Sequence, residues 1–168
     1  MRSLFQHREG SPFHISVGAV VINDAGKILT HKRTQKTTPA QFLYTIDGLE
    51  EVYTLMRESL EENESLESAT LRGVREEFGI EGKIEKYLGS YVGTIVPEKG
   101  VPYEKTTLYF SVQVINQGER PMDDGEAHSE LLWVDPKDLI EKMIYQGANT
   151  IRTDIDESKI VEAYLKNL

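Results

Sequence analysis

Two adjacent glutamates, Glu76 and Glu77, stand near the end of a stretch whose apolar residues recur at helical spacing. Residues three and four apart share a face of an α-helix, so positions 73, 76 and 77 are expected to project to the same side. Carboxylates at all three would suit Mg²⁺, which takes oxygen ligands and often bridges protein acids to substrate phosphates. Position 73 is a glycine, however, and glycine inside a helix costs roughly 1 kcal/mol relative to alanine. The pattern thus indicates two of the three carboxylates of such a site.

The negative charge of the chain is concentrated around these glutamates. The 168 residues carry a formal net charge of −9, and residues 47–81 alone hold eleven acids against three arginines. Such a block repels nucleic-acid phosphate unless a cation intervenes, so no nucleic-acid partner is expected. A solvated acidic helix face and a site for hard divalent cations both remain open as explanations.

Composition narrows the class of protein. The chain has no cysteine, which excludes disulfides, thiolate zinc sites and a cysteine nucleophile. Its length suits one domain, and 39% hydrophobic with 28% charged residues is ordinary for a soluble globular protein. No apolar run approaches about 18 residues, and the first twelve residues lack an apolar signal core. We therefore expect no membrane span and a cytoplasmic location.

The elements that must position the glutamates can be predicted from periodicity and turn signals. The predicted helix ends at Gly79 and is capped by Asn63 or Ser65. The acidic segment before it, residues 49–62, suits either a helix or an ordered loop. Strands are predicted at residues 13–22, 27–33, 41–46, 83–96, 106–115 and 131–134, the first pair and the 83–96/106–115 pair as antiparallel neighbours. Further helices are predicted at residues 135–145 and 156–165. This order favours a mixed sheet packed between helices.

Residues 58–80, "ESLEENESLESATLRGVREEFGI", resemble a Nudix box. The family pattern is Gly, five residues, Glu, seven residues, then Arg-Glu-apolar-x-Glu-Glu-x-Gly-apolar. Glu64 takes the place of the first glutamate, Arg72 that of the arginine, and Glu76 and Glu77 that of the glutamate pair. Two defining positions differ, because Glu58 replaces the leading glycine and Gly73 replaces the glutamate after the arginine.

The resemblance implies an α/β fold, a Nudix-like α/β/α sandwich with a central mixed sheet, over a single domain of residues 1–168. Residues 44–51, "YTIDGLEE", resemble the turn that precedes the box in the family. That alignment leaves an insertion at about 49–62, which is expected to shape the site. One of its acids could replace the carboxylate that is missing at position 73.

The resemblance also implies a reaction. Nudix hydrolases cleave a diphosphate linkage in a nucleoside diphosphate derivative, with Mg²⁺ or Mn²⁺ as cofactor. Glu76 and Glu77 would then be metal ligands, Arg72 would orient Glu64, and Glu130 would act as the general base. Two neighbours in the same polar segment, Glu126 and His128, are alternative bases, and each is as readily a solvated side chain.

The glycine at position 73 leaves more than one interpretation of the function open. Loss of one carboxylate could leave a hydrolase with weakened activity, or a catalytically inactive Nudix-fold module that binds or senses a nucleotide. The family's isomerase branch is disfavoured because it typically relies on a cysteine, and a scaffold role and a homodimer are left open. For ligand contacts, Lys32 and Arg33 could meet phosphate, and Tyr91 or Tyr103 could stack on a base.

Overall fold

The computed structural model describes residues 13–46, 48–95, 99–122 and 128–168. The strands are β1 (Phe13–Ile22), β2 (Ile28–Thr34), β3 (Glu51–Thr54), β4 (Met56–Ser59), β5 (Ile80–Ile95), β6 (Tyr103–Gln117) and β7 (Glu130–Val134). The helices are α1 (Leu66–Phe78), α2 (Pro136–Ala148) and α3 (Ser158–Lys166). Within the described ranges, none of the helices has the length and apolarity needed to cross a membrane.

All seven strands join one mixed sheet with β1 at its centre. β1 runs parallel to β6 along its whole length, and β5 pairs antiparallel with the far edge of β6. The other edge of β1 is shared, because Ser16–Ala19 pair with β4 while Ile22 pairs with Ile28 of β2. β2 is in turn flanked by β3 and β7. The predicted mixed sheet is thus confirmed.

Helices cover both faces of this sheet, and alternation along β1 explains how. Ala19 and Val21 are buried with Val74 and Phe78 of α1 on one face. Val20 and Ile22 point the other way and are buried with apolar residues of α2 and α3. Since successive side chains of a strand face opposite sides, β1 serves two cores at once. The α/β/α sandwich predicted from the resemblance is confirmed.

Helix α1 is closed at both ends by its own sequence. The Ser65 hydroxyl accepts a hydrogen bond from the Ser68 N–H at 3.0 Å, so Ser65 is the cap rather than Asn63. Gly79 ends the helix in the left-handed conformation, with φ of 68°, and its N–H donates to the carbonyl of Arg75. Together these caps fix where Glu76 and Glu77 stand relative to the sheet.

Two predicted elements are wrong. Residues 41–46 are not a strand, because Ala40–Thr45 form a 3-10 helix after Pro39, in which the Phe42 N–H donates to the Pro39 carbonyl. Periodicity alone cannot separate strand from helix in such a short apolar run. The helix or ordered loop expected within 49–62 is instead the two strands β3 and β4, which pair with β2 and β1. The acidic composition of these residues does not indicate strands, because pairing with distant strands, rather than local propensity, stabilises them. The single domain with an insertion at about 49–62 stays a prediction.

Candidate functional site

Arg72 is the centre of an ionic cluster beneath the start of α1. Its Nε lies 2.8 Å from Glu64 Oε1 and its Nη2 lies 3.0 Å from Glu64 Oε2, which makes a two-pronged pair. Nη2 also donates to the Ser59 carbonyl at 2.8 Å. The hydrogen bonds from Arg72 hold the pKa of Glu64 below its usual value. Arg72 therefore fastens the chain before α1 to the helix, and a catalytic role for this pair stays a prediction.

Glu77 is buried and bound to a histidine of strand β2. Its Oε2 accepts a hydrogen bond from His31 Nε2 at 2.6 Å, and only 6% of the Glu77 side chain is exposed. His31 Nδ1 lies 2.6 Å from the Ser129 hydroxyl. Burial, with the nearby charge of Arg33, lowers the pKa of His31 well below its usual value, so the ring is neutral. Because Nε2 then carries the proton, Nδ1 accepts from Ser129.

Glu76 occupies a different environment from its neighbour. Its side chain is 51% exposed, and Oε2 lies 3.2 Å from Nη1 of Arg72. Glu77, by contrast, contacts β2 and is shielded from solvent. That positions 73, 76 and 77 would present one carboxylate face stays a prediction. One glutamate belongs to the Arg72 cluster and the other to the buried histidine.

Gly73 packs directly against strand β4. A Cβ built on Gly73 would lie 2.7 Å from Glu58 Cβ and 2.7 Å from Met56 Sδ. Both separations are far below the 3.5–4.0 Å at which carbon atoms attract. The Glu58 side chain therefore fills the space beside Gly73, and burial raises the pKa of Glu58. Glycine stands at position 73 because no larger side chain fits against β4 as it is placed here.

A small cationic pocket opens on the other side of Glu77. It has a volume of about 100 Å³ and is lined by His31, Arg33, Thr54, Leu55, Arg57, Glu77 and Lys105. Three cationic side chains thus face one carboxylate. Burial, followed by repulsion from Arg57, lowers the pKa of Arg33 to about 10 and that of Lys105 to about 8. We call these seven residues the cationic pocket.

Behind the pocket, two buried carboxylates hold Arg57. Glu157 Oε1 lies 3.7 Å from Arg57 Nε, and Asp154 Oδ2 lies 3.4 Å from Arg57 Nη1. Burial alone would lower the pKa of Arg57, but the charges of Glu157 and Asp154 raise it. Glu157 also accepts hydrogen bonds from the Leu55 N–H, at 2.8 Å, and from the Tyr109 hydroxyl. Arg57 is therefore charged and fixed in place.

The remaining residues proposed from the sequence lie in several places. Arg33 lines the cationic pocket, whereas Lys32 pairs with Glu51 at 3.4 Å. Glu130 is exposed at the start of β7, opposite Lys32 in the strand register, and does not line the cationic pocket. Its role as general base stays a prediction.

The alternative base His128 is exposed and lies against Phe42, with ring centroids 5.7 Å apart, while Glu126 lies outside the described residues. The Tyr91 hydroxyl donates to the Thr153 carbonyl. Tyr103 stacks on His14, with ring centroids 6.1 Å apart. Both tyrosines therefore already contact residues of the chain itself.

Comparison with known protein families finds a match over most of the chain. A family model described as the NUDIX domain matches residues 12–154. The chain belongs to the NUDIX family. A search of curated proteins finds no match. Family membership supports, in general terms, a pyrophosphohydrolase of the Nudix type, which acts on small nucleotide derivatives.

Solved structures share the Nudix fold at low sequence identity. A NUDIX hydrolase from Nitrosomonas europaea is 21% identical with a TM-score of 0.62, covering 91% of this chain and 88% of the other. The MutT protein from Methanosarcina mazei Go1 is 17% identical with a TM-score of 0.57, covering 91% and 94%. The E. coli ORF135 protein is 23% identical with a TM-score of 0.53, covering 90% and 88%.

Nudix hydrolases generally use divalent metals such as Mg²⁺ or Mn²⁺, but the residues of this box do not fit one. Gly73 offers no carboxylate, Glu77 is bound to His31, and Glu76 is paired with Arg72. No group of three or more side chains suited to a metal ion occurs among the described residues. A hard cation needs several oxygen ligands, and it would be repelled by the cationic pocket beside Glu77.

Sequence reasoning missed the residues that line and support the cationic pocket. Arg57 was given no role, although it is the one basic residue between positions 37 and 71. A single basic residue in an acidic stretch can indicate an ion pair, because its positive charge is expected to neutralise a carboxylate. Lys105 lies between two predicted strands and Glu157 lies in a predicted helix, and neither position indicates a site. Their convergence depends on the pairing of β4 and β6 with β1.

Proposed function

We propose that this protein is a Nudix-type pyrophosphohydrolase with weakened turnover, whose ligand is a small nucleoside diphosphate derivative. One observation carries the weakened turnover: Glu58 and Met56 occupy the space in which position 73 would bear a carboxylate. Only Glu76 and Glu77 remain of the three acids at the end of the helix. Family membership supports the class of ligand, and the cationic pocket beside Glu77 suits a phosphate-bearing one.

The chain's own residues would bind and orient this ligand. Arg33, Arg57 and Lys105 supply positive charge on one side of Glu77. His31 is neutral and holds the Glu77 carboxylate by a hydrogen bond, so this glutamate is fixed in orientation. Leu55 is the apolar member of the pocket lining. The proposal includes Glu130 as the general base. It also includes a cytoplasmic location.

A second candidate is a binding or sensor module that holds the nucleotide without cleaving it. The hydrogen bond between His31 and Glu77 favours it, because the carboxylate oxygen that a hydrolase would offer is already occupied. The two candidates share a ligand class and differ in turnover alone. A single assay therefore separates them.

The test is a panel of nucleoside diphosphate sugars and dinucleoside polyphosphates, assayed for monophosphate release with Mg²⁺, with Mn²⁺ and with a chelator. We expect slow turnover that Glu77→Gln abolishes. Glu67→Gln is the matched control, because Glu67 is an exposed glutamate in the first turn of the same helix. No turnover in the wild type, together with saturable nucleotide binding, would replace the hydrolase by the binding module. Turnover that survives Glu77→Gln would show that the activity does not depend on this site.

A further inference from the structure

We infer that the cationic pocket binds a phosphoryl group directly, with Arg33, Arg57 and Lys105 supplying the positive charge that a metal ion would otherwise supply. The inference rests on the proposed function for its ligand class, a diphosphate. It goes beyond that function by stating how the diphosphate is held. It also accounts for the mismatch between this box and a divalent cation.

The position of the pocket is the first support. It is built by the ends of β2, β3, β4 and β6 and by the last turn of α1, which brings Glu77 into its wall. Its volume of about 100 Å³ compares with about 30 Å³ for one water in the liquid. It can therefore hold one phosphoryl-sized oxyanion. The rest of a ligand would have to extend outwards.

The charge balance is the second support. In and directly behind the pocket, four cations face at most three carboxylates, with Arg152 paired to Asp154 at 2.6 Å. This excess of positive charge is the reverse of the chain as a whole, which carries −9. The cations repel one another because they are held together in a region of reduced solvent. An anion with two or more negative charges would reverse that balance.

Lys105 is the side chain best placed to respond to such an anion. Among the described residues it makes no ion pair and donates no side-chain hydrogen bond, whereas Arg57 is tied to Asp154. Burial, followed by repulsion from Arg57, lowers the pKa of Lys105 to about 8, although the charges of nearby carboxylates oppose this shift. Arg33 donates to the Thr54 hydroxyl at 3.0 Å, so its guanidinium is held at the rim. Arginine forks and a lysine point charge are the usual partners of phosphate.

The experiment measures binding of inorganic pyrophosphate by isothermal titration calorimetry at pH 7, with EDTA present and then with Mg²⁺. We expect saturable binding in EDTA that Mg²⁺ does not strengthen. Lys105→Gln should weaken it by at least about tenfold, equivalent to about 1.4 kcal/mol. Lys83→Gln is the control, because Lys83 is 70% exposed on β5 and, in the part of the chain that the structure describes, forms an ion pair only with Glu85. Lys105→Arg should restore most of the affinity.

Several results would overturn the inference. Binding that appears only with Mg²⁺ would mean that a metal bridges the ligand. Equal affinity in wild type and Lys105→Gln would place the anion elsewhere, and so would the absence of any pyrophosphate binding. Circular dichroism checks that Lys105→Gln is folded, and Lys105→Met is the substitute if it is not.

The two proposals fail separately. Metal-dependent pyrophosphate binding alongside turnover of a nucleotide derivative would refute the inference and keep the hydrolase. Metal-free binding that depends on Lys105, with no turnover of any substrate, would keep the inference and refute the hydrolase.

Discussion

The contact between Gly73 and Glu58 predicts a substitution whose sign depends on its neighbour. Gly73→Ala should favour α1 by about 1 kcal/mol, because alanine is the better helix former. The new methyl group would lie 2.7 Å from Glu58 Cβ, however, and overpacking of this kind typically costs about 1–3 kcal/mol. The net effect should be a loss of about 1 kcal/mol in the free energy of unfolding. For a chain of this size that lowers the Tm by roughly 2–4 °C.

Removing the obstruction should reverse the sign. Glu58→Gly deletes the Cβ that Gly73→Ala would meet, while Met56 Sδ is part of a flexible side chain that can rotate away. In the Glu58→Gly background, Gly73→Ala should therefore stabilise the protein. The measurement is urea unfolding, followed by circular dichroism, of the wild type, both single variants and the double variant. We expect a coupling energy of about 1–3 kcal/mol between the two positions. Additive effects, or a stabilised single variant Gly73→Ala, would refute this account of the glycine.

The same cycle extends to catalysis. Gly73→Glu alone should destabilise the protein and leave turnover low, since Glu58 occupies the space. Gly73→Glu combined with Glu58→Gly restores the family's order of residues at both positions. That double variant should turn over a nucleoside diphosphate substrate at least about tenfold faster with Mg²⁺, about 1.4 kcal/mol in barrier height. Equal rates in wild type and double variant would show that another feature limits the reaction.

Three other predictions follow from single side chains. Arg72→Lys should lower the free energy of unfolding by about 1–3 kcal/mol in urea titrations, because lysine cannot make the two-pronged contact with Glu64; a loss no larger in wild type than in a Glu64→Gln background would contradict this. Between about pH 8 and 10, the unfolded chain keeps a proton on Lys105 that the folded protein has released. The free energy of unfolding of the wild type should therefore rise with pH relative to that of Lys105→Met, by at most about 1.4 kcal/mol per pH unit. Parallel curves of unfolding free energy against pH for the two proteins would refute the lowered pKa. Thr38→Val should raise the Tm, because the buried Thr38 hydroxyl finds no hydrogen-bond partner among the described residues; a lowered Tm would indicate one.

Much of the fold could be predicted because it is encoded locally. The hairpin of β1 and β2, the β5–β6 pair and the caps of α1 all follow from periodicity and turn residues close in sequence. The 3-10 helix at Ala40–Thr45 could not, since six apolar and polar residues suit either element. The two strands within residues 51–59 could not be predicted for a different reason. Each has only four residues, and each is stabilised by pairing with residues more than 15 positions away in sequence.

The candidate site, like the fold, could be predicted from the sequence only where its contacts are local. The spacing of the box predicts the contact between Arg72 and Glu64, which lies two residues before the start of α1. It cannot show that Glu77 turns to His31, because that contact spans 46 residues and depends on the placement of β2 against α1. The cationic pocket is harder still, since Arg57 and Lys105 meet only after two different strands have paired with β1.

The buried contact between Glu157 and Arg57 has a consequence for how the chain can be shortened. The match to the family model ends at residue 154, and Glu157 and α3 follow it. A polypeptide cut at residue 154 would keep every residue of the box while leaving the Leu55 N–H and the Arg57 guanidinium without the carboxylate that holds them. The cationic pocket thus depends on a C-terminal segment that lies beyond the residues of the family match.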